Sequence, residues 1–146
     1  MRNCKKKTFL LFTCFFLCTF ALRAQEISYE GESNGVLMLS VSELNIKKND
    51  AVPQAIKDAY FQLLFRGIPG SDTYGKALLG TDENAVNANR RYYDEMIYGG
   101  RLYSFVTYSA LTYYKKKTAV VQLSLNVQAL VEDLERNNLY RRFGLR

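Results

Sequence analysis

The sequence predicts an α+β fold: a three-stranded antiparallel sheet with two or three helices on one face, in the order β-α-(α)-β-β-α. Three stretches carry this expectation. Residues 118–127 alternate strictly, with Ala119, Val121, Leu123, Leu125 and Val127 on one side and Gln122, Ser124 and Asn126 on the other. Residues 49–70 (NDAVPQAIKDAYFQLLFRGIPG) place Val52, Ile56, Ala59, Tyr60, Leu63 and Leu64 on one helical face. Residues 101–114 (RLYSFVTYSALTYY) are dense in the aromatic and β-branched side chains that suit a pleated surface.

Taken in order, Gln25–Asn34 is polar and acidic and reads as a flexible arm or a short edge strand. Gly35–Ile46 is the first strand. Leu37, Leu39 and Val41 point one way and Ser40 and Ser42 the other, until Leu44 and Ile46 slip out of phase, which predicts a bulge near Ser42–Glu43. The central helix follows. Asp50 is placed as its N-cap, and Pro53 falls in the first turn, where a missing N–H is tolerated. Ala51, Ala55 and Ala59 form a small-residue line that permits close approach to a sheet. Gly67 suits a left-handed C-terminal cap, Ile68 its apolar contact and Pro69 the stop.

Glycine, aspartate and asparagine interrupt Ser71–Val86 repeatedly. A shorter helix is expected within Asn84–Tyr98, with Tyr93, Met96 and Ile97 on one side and Gly99 ending it. The second strand is set at Arg101–Tyr114, and Lys115–Lys117 turns it into the third, Thr118–Val127. Asn126 or Gln128 opens the last helix, with Leu130, Val131 and Leu134 as its buried stripe and Asn137–Asn138 as its end. The tail, Leu139–Arg146, mixes Tyr140, Phe143 and Leu145 with arginines.

Residues 1–24 read as a secretory signal peptide: Arg2, Lys5, Lys6 and Lys7, then the apolar run Phe9–Leu22, then Ala24 before Gln25, with Ala21 as the other cleavage point. Residues 25–146 then form a single α+β domain. All three cysteines (Cys4, Cys14, Cys18) fall in the leader, so no disulfide framework is expected beyond it. Phe12 is bulky and neither Cys14 nor Cys18 is preceded by Gly, Ala or Ser, which argues against lipid attachment. Five of the 20 basic residues and none of the 14 acidic ones lie in the leader, leaving 15 against 14. That balance argues against a nucleic-acid partner, and no further run is long and apolar enough for a membrane span.

The chain has no His and no Trp, and beyond the leader no Cys. Imidazole- and thiolate-based nucleophilic schemes and zinc sites therefore lack their groups. Asp72, Asp82, Glu83, Asp94 and Glu95 cluster in the middle segment but do not follow the spacing of a calcium loop, and they read as solvated acids. Arg66–Ser71 follows a helix rather than opening one and is no phosphate loop. No catalytic residue, metal site or cofactor is expected. Tyrosine stands out, with all 11 beyond the leader. On a regular second strand Tyr103, Phe105 and Tyr113 share one face and Tyr108 and Tyr114 the other, so one row is expected at the surface. Tyr103, Tyr108, Tyr113 and Tyr114 are the candidate contact residues, since tyrosine offers rigid area with a polar tip. Arg136, Arg141, Arg142 and Arg146 give the C-terminus local positive charge, as a helix C-terminus favours.

The run Gly35–Leu64, with Ala51, Ala55 and Ala59 after Ser40–Ile46, resembles the strand-then-helix opening of the LPP20-like / flagellar-assembly-protein-T N-terminal group of envelope proteins. The later hairpin and last helix agree in order. The resemblance implies an accessory or assembly role in the cell envelope, with no catalytic residues to carry over. The expected function is thus a non-enzymatic exported (periplasmic or secreted) interaction module, its partner an envelope protein or a second copy. The alternative is a small-ligand or glycan binder using exposed tyrosines.

Overall fold

The computed structural model describes residues 26–80 and 87–140. The leader with its cysteines, Asp82, Glu83, and the tail from Arg141 lie outside these residues. Among the described residues the fold is α+β, with a four-stranded antiparallel sheet and three α-helices. The elements are β1 (Glu26–Ser33), β2 (Val36–Glu43), α1 (Ala51–Phe65), α2 (Arg90–Tyr98), β3 (Val106–Lys115), β4 (Thr118–Asn126) and α3 (Val127–Arg136). The strand order is β1-β2-β4-β3. The β2-to-β3 connection carries α1 and α2, and β4 returns into the gap between its two neighbours.

The expected three strands become four because Glu26–Ser33 pairs with β2. The turn that joins them is Asn34-Gly35, with φ of 52° and 73°. Both central residues are left-handed, the conformation that an Asn-Gly hairpin turn requires. The expected bulge near Ser42–Glu43 is absent: β2 pairs with β4 in unbroken register from Val36 to Glu43. The change of phase after Ser42 is the end of the strand, not a bulge. Irregularities lie instead between Tyr29 and Gly31, between Val106 and Tyr108, and between Leu111 and Tyr113.

Helix α1 buries Ala51, Ala55, Ile56, Ala59, Tyr60, Leu63 and Leu64, close to the face read from the sequence, with Val52 only partly covered. Asp50 makes no side-chain capping bond; the helix is entered through a 3₁₀ turn at Lys48–Asp50. At the other end Gly67 is left-handed, φ 82°. Its N–H reaches the Gln62 carbonyl at 2.7 Å, and the Gln62 side-chain amide donates back to the Gly67 carbonyl at 2.9 Å. The irregular segment after it closes the helix: Leu78 N–H donates to the Leu63 carbonyl at 3.2 Å and Leu79 N–H to the Leu64 carbonyl at 2.8 Å. These are carbonyls left without partners by the end of the helix.

Helix α2 buries Tyr92 and Met96, and Tyr93 packs edge-on to Phe61 and Phe65 of α1. Helix α3 is capped by the Asn126 side chain, which accepts from Ala129 N–H at 3.0 Å. It contributes Val127, Leu130, Val131 and Leu134 to one core shared with α1 and the inner face of the sheet. The second strand begins later than expected. Arg101–Phe105 forms a 3₁₀ turn that buries Leu102 and Phe105, and β3 starts at Val106.

Candidate functional site

Side chains directly opposite across an antiparallel ladder share a face. The registers therefore define the two sides of the sheet residue by residue. Leu37, Leu39 and Val41 on β2 and Ala119, Val121, Leu123 and Leu125 on β4 face the helices and are buried. The other side is free of helices among the described residues. Its rows run Tyr108–Ser124–Met38–Gly31, then Ala110–Gln122–Ser40–Ser28, then Tyr113–Val120–Ser42–Glu26. The two aromatic rows flank a row of short and polar side chains. Glu26, Glu30 and Lys115 are exposed at the edges of the sheet, and the Ala110–Gln122–Ser40–Ser28 row carries no charge.

The bulge in β3 is what puts Tyr108 and Tyr113 together. Five residues apart on a regular strand, they would point to opposite faces. The shift between Leu111 and Tyr113 restores them to one side, opposite Ser124 and Val120. Thr112 in this bulge donates its hydroxyl to the Val120 carbonyl at 3.1 Å, and Thr107 in the first bulge does the same to the Ser124 carbonyl at 3.1 Å. Tyr108 and Tyr113 are each about half exposed (53% and 50%), and Met38 is exposed beside them. Along the strand the two rings are separated by four ladder steps, roughly 13 Å.

The four tyrosines singled out by the sequence do not form one group. Tyr103 lies on the 3₁₀ turn, not on β3, and is exposed there. Tyr114 turns to the inner side opposite Ala119, half-buried, and donates its hydroxyl to the Ile46 carbonyl at 3.1 Å. It anchors the loop after β2. The expected pairing of Tyr103 with Tyr113 and of Tyr108 with Tyr114 is thus replaced by a Tyr108–Tyr113 pair, because the bulge changes the phase of the strand.

A polar cluster that sequence reasoning missed ties α2, the 3₁₀ turn and α3 together. Asp133, almost fully buried, accepts from Tyr92 Oη at 2.7 Å and from Arg101 Nη2 at 2.8 Å on both carboxylate oxygens. The Arg101 guanidinium also lies 5.9 Å from the centre of the Tyr92 ring. Burial first, and then the hydrogen bond to Asp133, push the Tyr92 hydroxyl well above the ordinary tyrosine range. The partners are 32 and 41 residues apart in sequence, so no local pattern announces them. The cluster braces α2, the 3₁₀ turn and α3 against one another. Of the middle-segment acids, Asp94 and Glu95 pair with Arg90 and Arg91 on the exposed side of α2, at 3.7 and 3.0 Å.

The helix-free face offers aromatic rings, an amide and several hydroxyls. Those groups suit contact and hydrogen bonding. Compared with protein-family models, curated proteins and solved structures, the chain matches none. No helix among the described residues is long and apolar enough to cross a membrane.

Proposed function

We propose that this chain is a non-enzymatic exported envelope protein that works as an interaction or assembly module, gripping a protein partner or a second copy of itself through the helix-free face of its sheet. The observation that carries the reading is the exposed Tyr108–Tyr113 pair, with Met38 beside it, over an uncharged and serine-rich centre. Tyrosines held rigid on a sheet lose little entropy on binding and are enriched among contacts that dominate interfaces. The leader-like first 24 residues and the resemblance of Gly35–Leu64 to envelope assembly modules support the location.

The test is crosslinking in the native envelope from probes at positions 108 and 113. A discrete adduct with a partner or a second copy is expected. Tyr108→Ser with Tyr113→Ser should lower its yield at least about tenfold, as loss of two tyrosine anchors predicts. A chain that stays a solitary monomer in place refutes the proposal. The export step has its own readout: the intact mass of the exported protein begins at Gln25 or Leu22 and carries no lipid.

A second reading is favoured by the row between the tyrosines. Gln122 and Ser40 place an amide and a hydroxyl between two ring-bearing rows, an arrangement that also suits a sugar or another small polar ligand. Tyr108 and Tyr113 would take part; Tyr103 sits apart on the 3₁₀ turn, and Tyr114 is occupied with Ile46. Saturable binding of oligosaccharides, abolished by Gln122→Ala and unaccompanied by a protein crosslink, would favour this reading over the first.

A further inference from the structure

The described residues contain seven lysines, and six of them meet at one end of the molecule: Lys47, Lys48, Lys57, Lys115, Lys116 and Lys117. They come from three separate places in the chain. Lys115–Lys117 is the turn between β3 and β4. The loop after β2 is stitched to that turn, for Ile46 N–H donates to the Lys117 carbonyl at 3.1 Å and Tyr114 Oη donates to the Ile46 carbonyl at 3.1 Å. That contact brings Lys47 and Lys48 alongside. Lys57 on α1 lines the same open recess as Lys47, together with Asp50, Pro53 and Gln54.

The acids near this end are few. Glu43 is buried, Glu26 stands on the far edge strand, and Asp50 and Asp58, the latter accepting from the Gln54 amide at 3.0 Å, offset part of the charge of the six lysines. The arginines among the described residues lie elsewhere and are engaged. Arg90, Arg91 and Arg101 make ion pairs, Arg66 lies over the Phe61 ring, and Arg136 donates to the Glu132 carbonyl.

Two features give this end a purpose beyond solubility. Lys116 and Lys117 occupy left-handed turn positions, φ 49° and 62°, where the chain's other hairpin uses Asn34-Gly35. Lysine is a poor residue there on conformational grounds. The same end also exposes apolar groups. Leu44 follows β2 directly, and Tyr113 lies two residues before Lys115; both are exposed. Flexible ammonium groups around an exposed Leu and Tyr suit the boundary between charged headgroups and acyl chains. Bidentate readout of bases favours arginine's planar fork, and the five described arginines lie elsewhere.

We propose that the lysine end of the sheet is a peripheral docking surface for an anionic phospholipid bilayer. The lysines supply attraction to the charged surface, and Leu44 and Tyr113 sit in the headgroup layer. Tyr113 belongs to both this site and the partner contact proposed for the helix-free face, whereas the lysines belong to this site alone.

Among the described residues every fully buried apolar side chain lies between Leu37 and Leu134, so the chain from Gln25 to Arg146 is the material for the experiment. It is sedimented with vesicles of phosphatidylcholine alone and with vesicles containing one-third phosphatidylglycerol. Binding is expected to the anionic vesicles only, and to be reversed by salt. Lys116→Asn with Lys117→Gly relieves the turn and removes two charges, so it should bind about 25-fold more weakly, at about fivefold per lysine, while melting at the same temperature or higher. Lys47→Gln with Lys48→Gln should weaken binding comparably. Lys76→Gln, on the loop after α1, should leave it unchanged.

Three results would each overturn the proposal. One is equal binding to neutral and anionic vesicles. Another is loss of binding in the Lys76 variant as large as in the turn variant. The third is full competition by low millimolar inorganic phosphate or by short duplex DNA, which would reassign the surface to a phosphate site or to nucleic acid.

Discussion

Replacing Gly67 by alanine is the sharpest test of how α1 is held at its C-terminus. The residue is left-handed, φ 82°, and a Cβ built there would lie 2.4 Å from the Gly75 carbonyl oxygen, a backbone atom that cannot rotate away. The left-handed conformation alone costs an alanine about 1 kcal/mol. Relief of the clash requires the loop to move, and that loop supplies the Leu78 and Leu79 amides that satisfy the last carbonyls of α1. Each of those hydrogen bonds is worth roughly 1 kcal/mol, and more if a buried carbonyl is left unpaired. Gly67→Ala should therefore cost about 3–5 kcal/mol, a large part of the roughly 5–15 kcal/mol that a domain commonly has. Gly100 is the control. It is also left-handed, φ 71°, but a Cβ there meets nothing within 4 Å, so Gly100→Ala should cost only about 1 kcal/mol. Urea unfolding followed by circular dichroism reads both, as a fall in midpoint at constant slope. If the two variants are destabilised equally, the close packing of the loop on the end of α1 is refuted.

Other expectations follow from buried groups. Asp133→Ala removes both partners' acceptor and strands the Tyr92 hydroxyl, so it should destabilise by about 2–4 kcal/mol; Arg101→Met should cost less, because that side chain is 42% exposed and water replaces part of the pair. Tyr60→Phe should be neutral or stabilising by up to about 1 kcal/mol in thermal melts, since the Tyr60 hydroxyl is buried without a hydrogen-bond partner among the described residues. Burial raises the hydroxyls of Tyr60, Tyr92 and Tyr93, the last to about 12. The fold keeps these protons to higher pH than the open chain does, so their contribution is complete below about pH 10 and is lost as pH rises beyond it, at up to about 1.4 kcal/mol per pH unit for each tyrosine. Tyrosinate absorbance should show these three ionising late, together with loss of structure; early, independent ionisation would contradict their burial.

Much of the fold is local and can be read directly from the amino-acid sequence. Helix α1 declares itself through Pro53, its apolar spacing and the Gly67 stop, all set by neighbours within a few residues. Strand β4 does so by alternation, and α3 by the Asn126 cap and its short stripe. Strand β1 is legible too, through Asn34-Gly35, the strongest short hairpin signal in the chain, although its polar composition hides it. The candidate face is not legible. Which way Tyr108 and Tyr113 point depends on one extra residue in β3, and a bulge is decided by the register with β4 and not by β3 itself. The 3₁₀ turn that removes Tyr103 from the strand is held by the burial of Leu102 and Phe105 in a core made by distant elements. The Asp133 brace and the lysine end join residues up to about 70 positions apart. A sequence states local geometry because backbone torsions and caps are local; it cannot state convergence, which is settled only when the helices and the sheet close over one core.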